Sequence, residues 1–354
     1  MFSASRVALL LFCATFALTA AAQGASWTFA VSGDSRNCGD VVMPAIAAGV
    51  HHDNAAFYWH LGDFRAIYDF DQDYKQLATA RGTPLLIIDY ENRAWDDFIE
   101  NQLNPFGNTT VYLGIGNHET IPPKTRSDFL IQFADWLDTP ELKQRRLNDN
   151  PKDHRLRTYY HWQRDGLDFI NLDNASPDQI DADQLAWLER TLHADAADSS
   201  IKTVVVGMHA ALPDSISKGH SMSETPQGEW SGRRVYTDLL DLQNNAHKNL
   251  YLLASHSHFF MDGVYNTEYW RSHGGVLPGW IVGTAGAVRY TLPPDAADAR
   301  IATTNVYGYL LGTVNPGGTV EFRFHQVDEK DLPAEIVTRF GQTLVHDCFA
   351  GNRQ

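Results

Sequence analysis

The chain has 354 residues, a formal net charge of −15 and 44% apolar residues. An acidic balance of that size argues against a nucleic-acid backbone as the main partner, because phosphate binding needs clustered Lys and Arg. The length accommodates one large α/β core, and no internal repeat, low-complexity tract or Pro/Ser-rich linker divides it.

Residues 1–22 read as a signal peptide. Arg6 supplies the charge, residues 7–22 the apolar stretch, and Ala20-Ala21-Ala22 a small-residue cleavage site before Gln23. The stretch is short and alanine-rich for a membrane anchor, and no second hydrophobic span follows it. Residues 23–354 are therefore expected as a single exported domain, periplasmic or extracellular, with its oligomeric state left open. Cys13 leaves with the leader, so Cys38 and Cys348 remain. An even pair in an exported chain predicts a disulfide.

Residues 27–31 form a strand-like run that leads to Asp34, with a helix expected over 39–49. Residues 56–61 run into Gly62-Asp63, and 110–114 into Gly116-Asn117-His118-Glu119. Residues 127–137 read as helical, and Thr139-Pro140-Glu141 as a helix N-cap with proline at the first position. The runs 159–163 and 167–172 flank Arg164-Asp165-Gly166, an Asp-Gly hairpin turn. Over 183–192, Leu185, Leu188 and Leu192 fall on one face of an amphipathic helix. Residues 202–208 lead into His209, and the polar segment 213–232 is expected as a mobile loop over the site. Residues 249–254 end at His256-Ser257-His258. The runs 306–314 and 319–326 flank Asn315-Pro316-Gly317-Gly318, and with the 159–172 hairpin they are expected as antiparallel strands of a second sheet.

Five runs thus stop at residues able to bind a metal, and they are rich in Val, Tyr, Phe and Trp, as buried strands are. Ligands of open α/β sheets sit beyond the carboxyl ends of the strands. Two carboxylates, one amide and three imidazoles without a thiolate suit Mn, Fe, Zn or Mg. Two such cations at ~3.5–4 Å repel and need an anionic bridge, for which Asp63 on its tight turn is the natural centre. Among other histidines, His60 reads as a core residue, and His51, His52, His154, His193 and His247 as solvated. His220 is the one further histidine placed near the site. Arg233-Arg234 reads as a solvated helix start. Gly283-Thr284-Ala285-Gly286 lacks the Lys-Ser/Thr of a P-loop, and no Gly-x-Ser-x-Gly elbow occurs.

In these blocks the chain resembles the calcineurin-like metallophosphoesterase superfamily, which includes purple acid phosphatases. The family order is Asp-x-His, Gly-Asp, Gly-Asn-His-Glu/Asp, a lone His, then Gly-His-x-His. Here it stands as Asp34-Ser35-Arg36, Gly62-Asp63, Gly116-Asn117-His118-Glu119, His209 and Ser255-His256-Ser257-His258. The likeness spans most of residues 27–326. It implies a four-layer α/β/β/α sandwich, two central mixed sheets flanked by helices. It implies two divalent or trivalent metal ions, one on Asp34, Asp63 and His258, the other on Asp63, Asn117, His209 and His256. His118 would stand near a phosphate oxygen or the leaving group, and Arg36 in the place of the first block's histidine. A metal-bound hydroxide would attack a small phosphate ester. Three departures mark the chain: Arg36 for histidine, Ser255 for glycine, and Ala66 where purple acid phosphatases carry a tyrosine. The alternative function is a non-catalytic binding protein with an impaired first metal site.

Overall fold

A computed structural model describes residues 25–175 and 179–354, so the predicted leader lies outside the described residues. In chain order the strands are β1 (Trp27–Ser32), β2 (Phe57–His60), β3 (Thr110–Leu113), β4 (Tyr160–Arg164), β5 (Leu167–Asn171), β6 (Thr203–Gly207), β7 (Asn249–Ala254), β8 (Phe260–Asp262), β9 (Gly279–Val282), β10 (Ile301–Thr303), β11 (Tyr307–Val314) and β12 (Val320–Val327). They make a five-stranded sheet, β12-β11-β1-β2-β3, and a seven-stranded sheet, β10-β8-β9-β7-β6-β5-β4. Both are mixed: β1, β2 and β3 are parallel, as are β5, β6, β7 and β9, while β11, β12, β4, β8 and β10 pair antiparallel.

The period-2 alternation of side chains sorts each strand between two cores. Phe29, Val31, Phe57 and Trp59 of the first sheet face Phe169, Val205 and Leu253 of the second, in an aromatic layer between the sheets. Phe57 meets Phe169 edge-on at 5.1 Å, and Trp59 meets Trp162 at 5.0 Å. Ala30 and Tyr58 point the other way, onto the helix Gly39–His52. Ile170, Val204, Val206 and Leu252 point onto the helices Ala182–Ala197 and Pro226–Ala246. Helix, sheet, sheet and helix are thus stacked as the expected sandwich.

The hairpin turn forms at Asp165 and Gly166, both at positive φ (49° and 81°), with Arg164 opposite Leu167. Thr139 caps its helix through Leu142 N–H. The disulfide Cys38–Cys348 is present, with Cα atoms 5.9 Å apart, and ties the C-terminal turn beside the first strand-end loop. Among the described residues no helix is long and apolar enough to cross a membrane.

Three expectations need correction. The last antiparallel pair, β11 and β12, does not join the 159–172 hairpin in a second sheet but extends the first sheet from β1, with β11 against β1. The segment 213–232 is not all loop, because Thr225 caps Pro226–Ala246 through Gly228 N–H, with proline at the first position. Its hydrophobic stripe starts only at Val235, so the polar first turns carried no periodic signal. Arg233 and Arg234 accordingly sit inside a helix, paired with Asp214 and Glu229, and with Glu189 and Asp238. The helices Gln72–Ala80 and Ile87–Phe98 were not foreseen either.

Candidate metal centre

The carboxyl ends of the parallel strands of both sheets meet at one place. Gly33 N–H donates to the Val282 carbonyl at 3.0 Å, and His209 Nδ1 lies 2.9 Å from the Leu61 carbonyl. Ser255 Oγ donates to the same carbonyl at 3.1 Å, so the serine in the family's glycine position adds a tie. The chain turns sharply at each strand end. Asp34, Asp63 and His256 sit at φ 61°, 61° and 65°, a left-handed region that non-glycine residues occupy at a cost, and such strain clusters at functional sites. At Gly116 a Cβ would stand 2.2 Å from Asp63 Oδ1, so only glycine lets the two loops close.

Two donor sets result, and Asp63 belongs to both. Ligand atoms of Asp34, Asp63 and His258 lie within 4.8 Å of one another, as do those of Asp63, His209 and His256. His258 Nε2 is 3.2 Å from Asp34 Oδ1. His209 Nε2 is 3.3 Å from Asp63 Oδ1, 3.0 Å from Asn117 Oδ1 and 3.0 Å from His256 Nδ1. Asp63 reaches Asn117 by way of His209 rather than by a direct bond. His118 donates its backbone N–H to Asp63 Oδ1 at 3.0 Å and brings Nε2 to 3.7 Å from Asp63 Oδ2. Asp34, Asp63, His118, His209 and His258 are buried, while Asn117 and His256 are half-exposed and mark the open side. All eight residues anticipated for the site therefore gather in it.

The tautomers favour a cation. His209, His258 and His118 each set Nδ1 against a backbone carbonyl, of Leu61, Val288 and Ala66, at 2.9, 2.6 and 2.7 Å. Each then presents an Nε2 lone pair inward. With His209 neutral, that lone pair faces an amide oxygen and a carboxylate oxygen, acceptors against acceptor. Asp34 Oδ1 and Asp63 Oδ2 are buried without any hydrogen-bond donor. Such groups are costly unless a cation lies among them. The donors at Asp63, Asn117, His209 and His256 therefore fit a divalent ion.

The protein groups alone answer the charge in part. Burial works against a charged His209, yet the adjoining Asp63 carboxylate pushes its pKa up to about 9. Burial and the charge on His209 bring His256 down to about 3. Burial opposes ionisation of Asp63 too, but His118, His209 and Arg36 outweigh it and hold that carboxyl well below the usual range.

Further residues support the centre from behind and beside it. Glu119, buried, accepts N–H groups from Asp63 (2.8 Å), Phe64 (2.9 Å) and Gly116 (2.8 Å), clasping two ligand-bearing loops. His60 is the expected core residue, neutral, with its pKa brought down to about 3 by burial, and bonded to Ser35 Oγ at 3.0 Å. Arg65 lies fully buried behind the Asp63 turn among Asp40, Asp71, Asp73 and Asp97. Tyr290 stacks on His258 at 3.9 Å, and His220 stacks on Tyr290 at 4.9 Å and meets His256 edge-on at 5.5 Å. The five other histidines expected at the surface are exposed.

The sandwich of two mixed sheets with a polar cluster at the strand ends has counterparts among solved structures. The chain is similar to PhoD, with 13% identity, 91% of this chain and 77% of that one covered, and a TM-score of 0.51. It is also similar to a dimetal phosphatase from Danio rerio, with 12% identity, 85% and 99% coverage and a TM-score of 0.48. At these identities the likeness concerns the fold. No protein-family model matches the sequence, and no curated protein does.

Proposed function

We propose that this protein is an exported, metal-dependent phosphoric ester hydrolase. The observation that carries the reading is the single carboxylate of Asp63, shared by two converging donor sets at the strand ends of both sheets. Asp63, Asn117, His209 and His256 would hold a divalent cation, and Asp34 and His258 complete the adjoining set. A cation bound there supplies a Lewis acid and makes water nucleophilic near neutral pH. The reaction needs no nucleophilic side chain, so the chain's own part is binding, orientation and proton transfer. His118, with Nδ1 fixed on Ala66, keeps Nε2 as the atom free to take up and return a proton at the leaving oxygen. The half-exposed side at Asn117 and His256 would admit a small phosphate ester.

Export is supported by the leader pattern and by the Cys38–Cys348 bond, which an oxidising compartment maintains. Residues 23–354 are proposed as one domain, because both sheets contribute to the same cluster. The test is turnover of p-nitrophenyl phosphate and of its bis ester. We expect hydrolysis of at least one, abolished by chelator and restored by Mn²⁺. Protein loaded with metal that hydrolyses neither ester rules the reading out.

A further inference from the structure

The first donor set already contains a cation that belongs to the chain. Arg36 is 8% exposed, and its guanidinium lies among the very atoms that would hold the first metal. Nη2 is 3.2 Å from His258 Nε2, and Nε lies 3.8 Å from Asp63 Oδ2. Both Nε and Asp63 Oδ2 are buried and have no other hydrogen-bond partner. A guanidinium has donors only and cannot ligate a metal. With His258 Nδ1 on the Val288 carbonyl, the lone pair on Nε2 is the one Arg36 engages. Of the three ligand atoms in this set, two therefore face Arg36.

The side chain is also held in place. Tyr290 takes a hydrogen bond from Nη2 at 3.3 Å and stacks on His258, and its N–H is anchored to the His258 carbonyl at 3.2 Å. Asp34 stands close enough to stabilise the positive charge, after Asp63 and Tyr290. A buried cation placed among two carboxylates is well compensated where it is. It would be strongly repelled by a divalent ion entering the same set.

We propose that Arg36 is the resident cation of the first donor set and that the working centre binds one metal, on Asp63, Asn117, His209 and His256. The inference rests on the phosphoesterase reading only for what the charge does. The guanidinium would take over the first ion's charge neutralisation by donating its N–H groups to phosphoryl oxygens, in a planar geometry that a lysine cannot reproduce. The remaining ion alone would activate water. Ser35 and Asn37 flank Arg36 but are turned away, onto the Phe64 and Val288 backbones.

Metal content and the magnetic state of bound Mn²⁺ test this directly. Wild-type protein saturated with Mn²⁺ and freed of excess should contain one ion per chain, with the electron paramagnetic resonance spectrum of an isolated ion. Arg36→His should take up two ions and give an exchange-coupled spectrum. Wild type with two ions, a coupled spectrum or no bound ion overturns the proposal. If Arg36→His does not fold, Arg36→Met decides. It should keep one ion and lose ~10²–10³-fold in kcat on a responsive ester, the scale for removing a charge-stabilising donor. Full activity of Arg36→Met with one ion would show that the guanidinium does nothing, and also overturns the proposal. A one-ion wild type and a two-ion Arg36→His that both leave phosphate esters intact would sustain the assignment of Arg36 while removing the hydrolase reading.

Discussion

Glu119 and Asp63 meet through the backbone: Glu119 Oε2 accepts the Asp63 N–H at 2.8 Å, and Oε1 accepts the next N–H, of Phe64, at 2.9 Å. Oε2 also accepts from Gly116, so one carboxylate fixes the two loops whose residues bracket the centre. Glu119→Gln keeps the shape but turns one accepting oxygen into an amide that opposes a backbone N–H. We expect a ~10–100-fold weaker metal affinity, the usual cost of losing a group that orients ligands. Titration calorimetry with Mn²⁺ checks it, and unchanged affinity would mean that the clasp serves only folding.

Asp63→Asn is the sharpest test of the centre itself. The carboxylate charge is common to both donor sets, and an amide offers one neutral oxygen in its place. Metal uptake and hydrolysis should both fall by more than ~100-fold, beyond what loss of an orienting residue costs. A folded Asp63→Asn protein with wild-type turnover would exclude Asp63 from the mechanism.

The strand endings were legible in the sequence because a buried strand leaves a dense apolar run, and the polar residue that stops it stands out. Asp34, Asp63, Asn117, His209, His256 and His258 were all visible in that way, and their joining follows from parallel strands ending on one side. Tyr290 was opaque for a different reason, and Glu119 was visible only as the last residue of the Gly116-Asn117-His118-Glu119 block, without its role. Their roles depend on backbone atoms and rings brought in by distant loops, and no local spacing encodes that. The helix Pro226–Ala246 shows a third limit. Its first two turns are polar, so the hydrophobic period appears only after the helix has begun, although Thr225-Pro226 carried the start signal.

The Cys38–Cys348 bond spans a sequence separation of 310 residues. In the chain-entropy model, closing so long a loop stabilises by ~6 kcal/mol. Cys38 is four residues past Asp34, and Cys348 is held by Arg289 and Tyr307 on its carbonyl, so the bond also braces the first strand-end loop. Denatured without reductant, the protein of residues 23–354, which lacks Cys13, should show no free thiol. The double variant Cys38→Ser/Cys348→Ser should unfold at clearly lower denaturant. Two titratable thiols in the exported protein would refute the bond.

His161 gives the protein a pH signature away from the metal centre. It lies on β4 beside a cavity of about 190 Å³ that shares no residue with the cluster. Its Nδ1 is 2.7 Å from Asp168 Oδ2 and its Nε2 is 2.7 Å from Asp149 Oδ2, so both nitrogens must carry protons. Burial opposes the charge, yet Asp168 and Asp149 raise the pKa from 6.5 to about 10. A folded-state pKa raised above the unfolded value means stability that is full below pH 6.5 and fades as pH rises through 10. Asp195, raised to about 8 by burial and Asp168, loses its proton in the same window and slopes the same way. Variants rather than absolute values must therefore be compared. Asp149→Asn removes one partner of the imidazolium and narrows the window. The fall in melting temperature between pH 6.5 and 10 should be smaller in Asp149→Asn than in wild type, at roughly 2–4 °C for each kcal/mol of lost coupling. Melting curves with the same pH slope in both proteins would show that His161 does not carry the charge assigned to it.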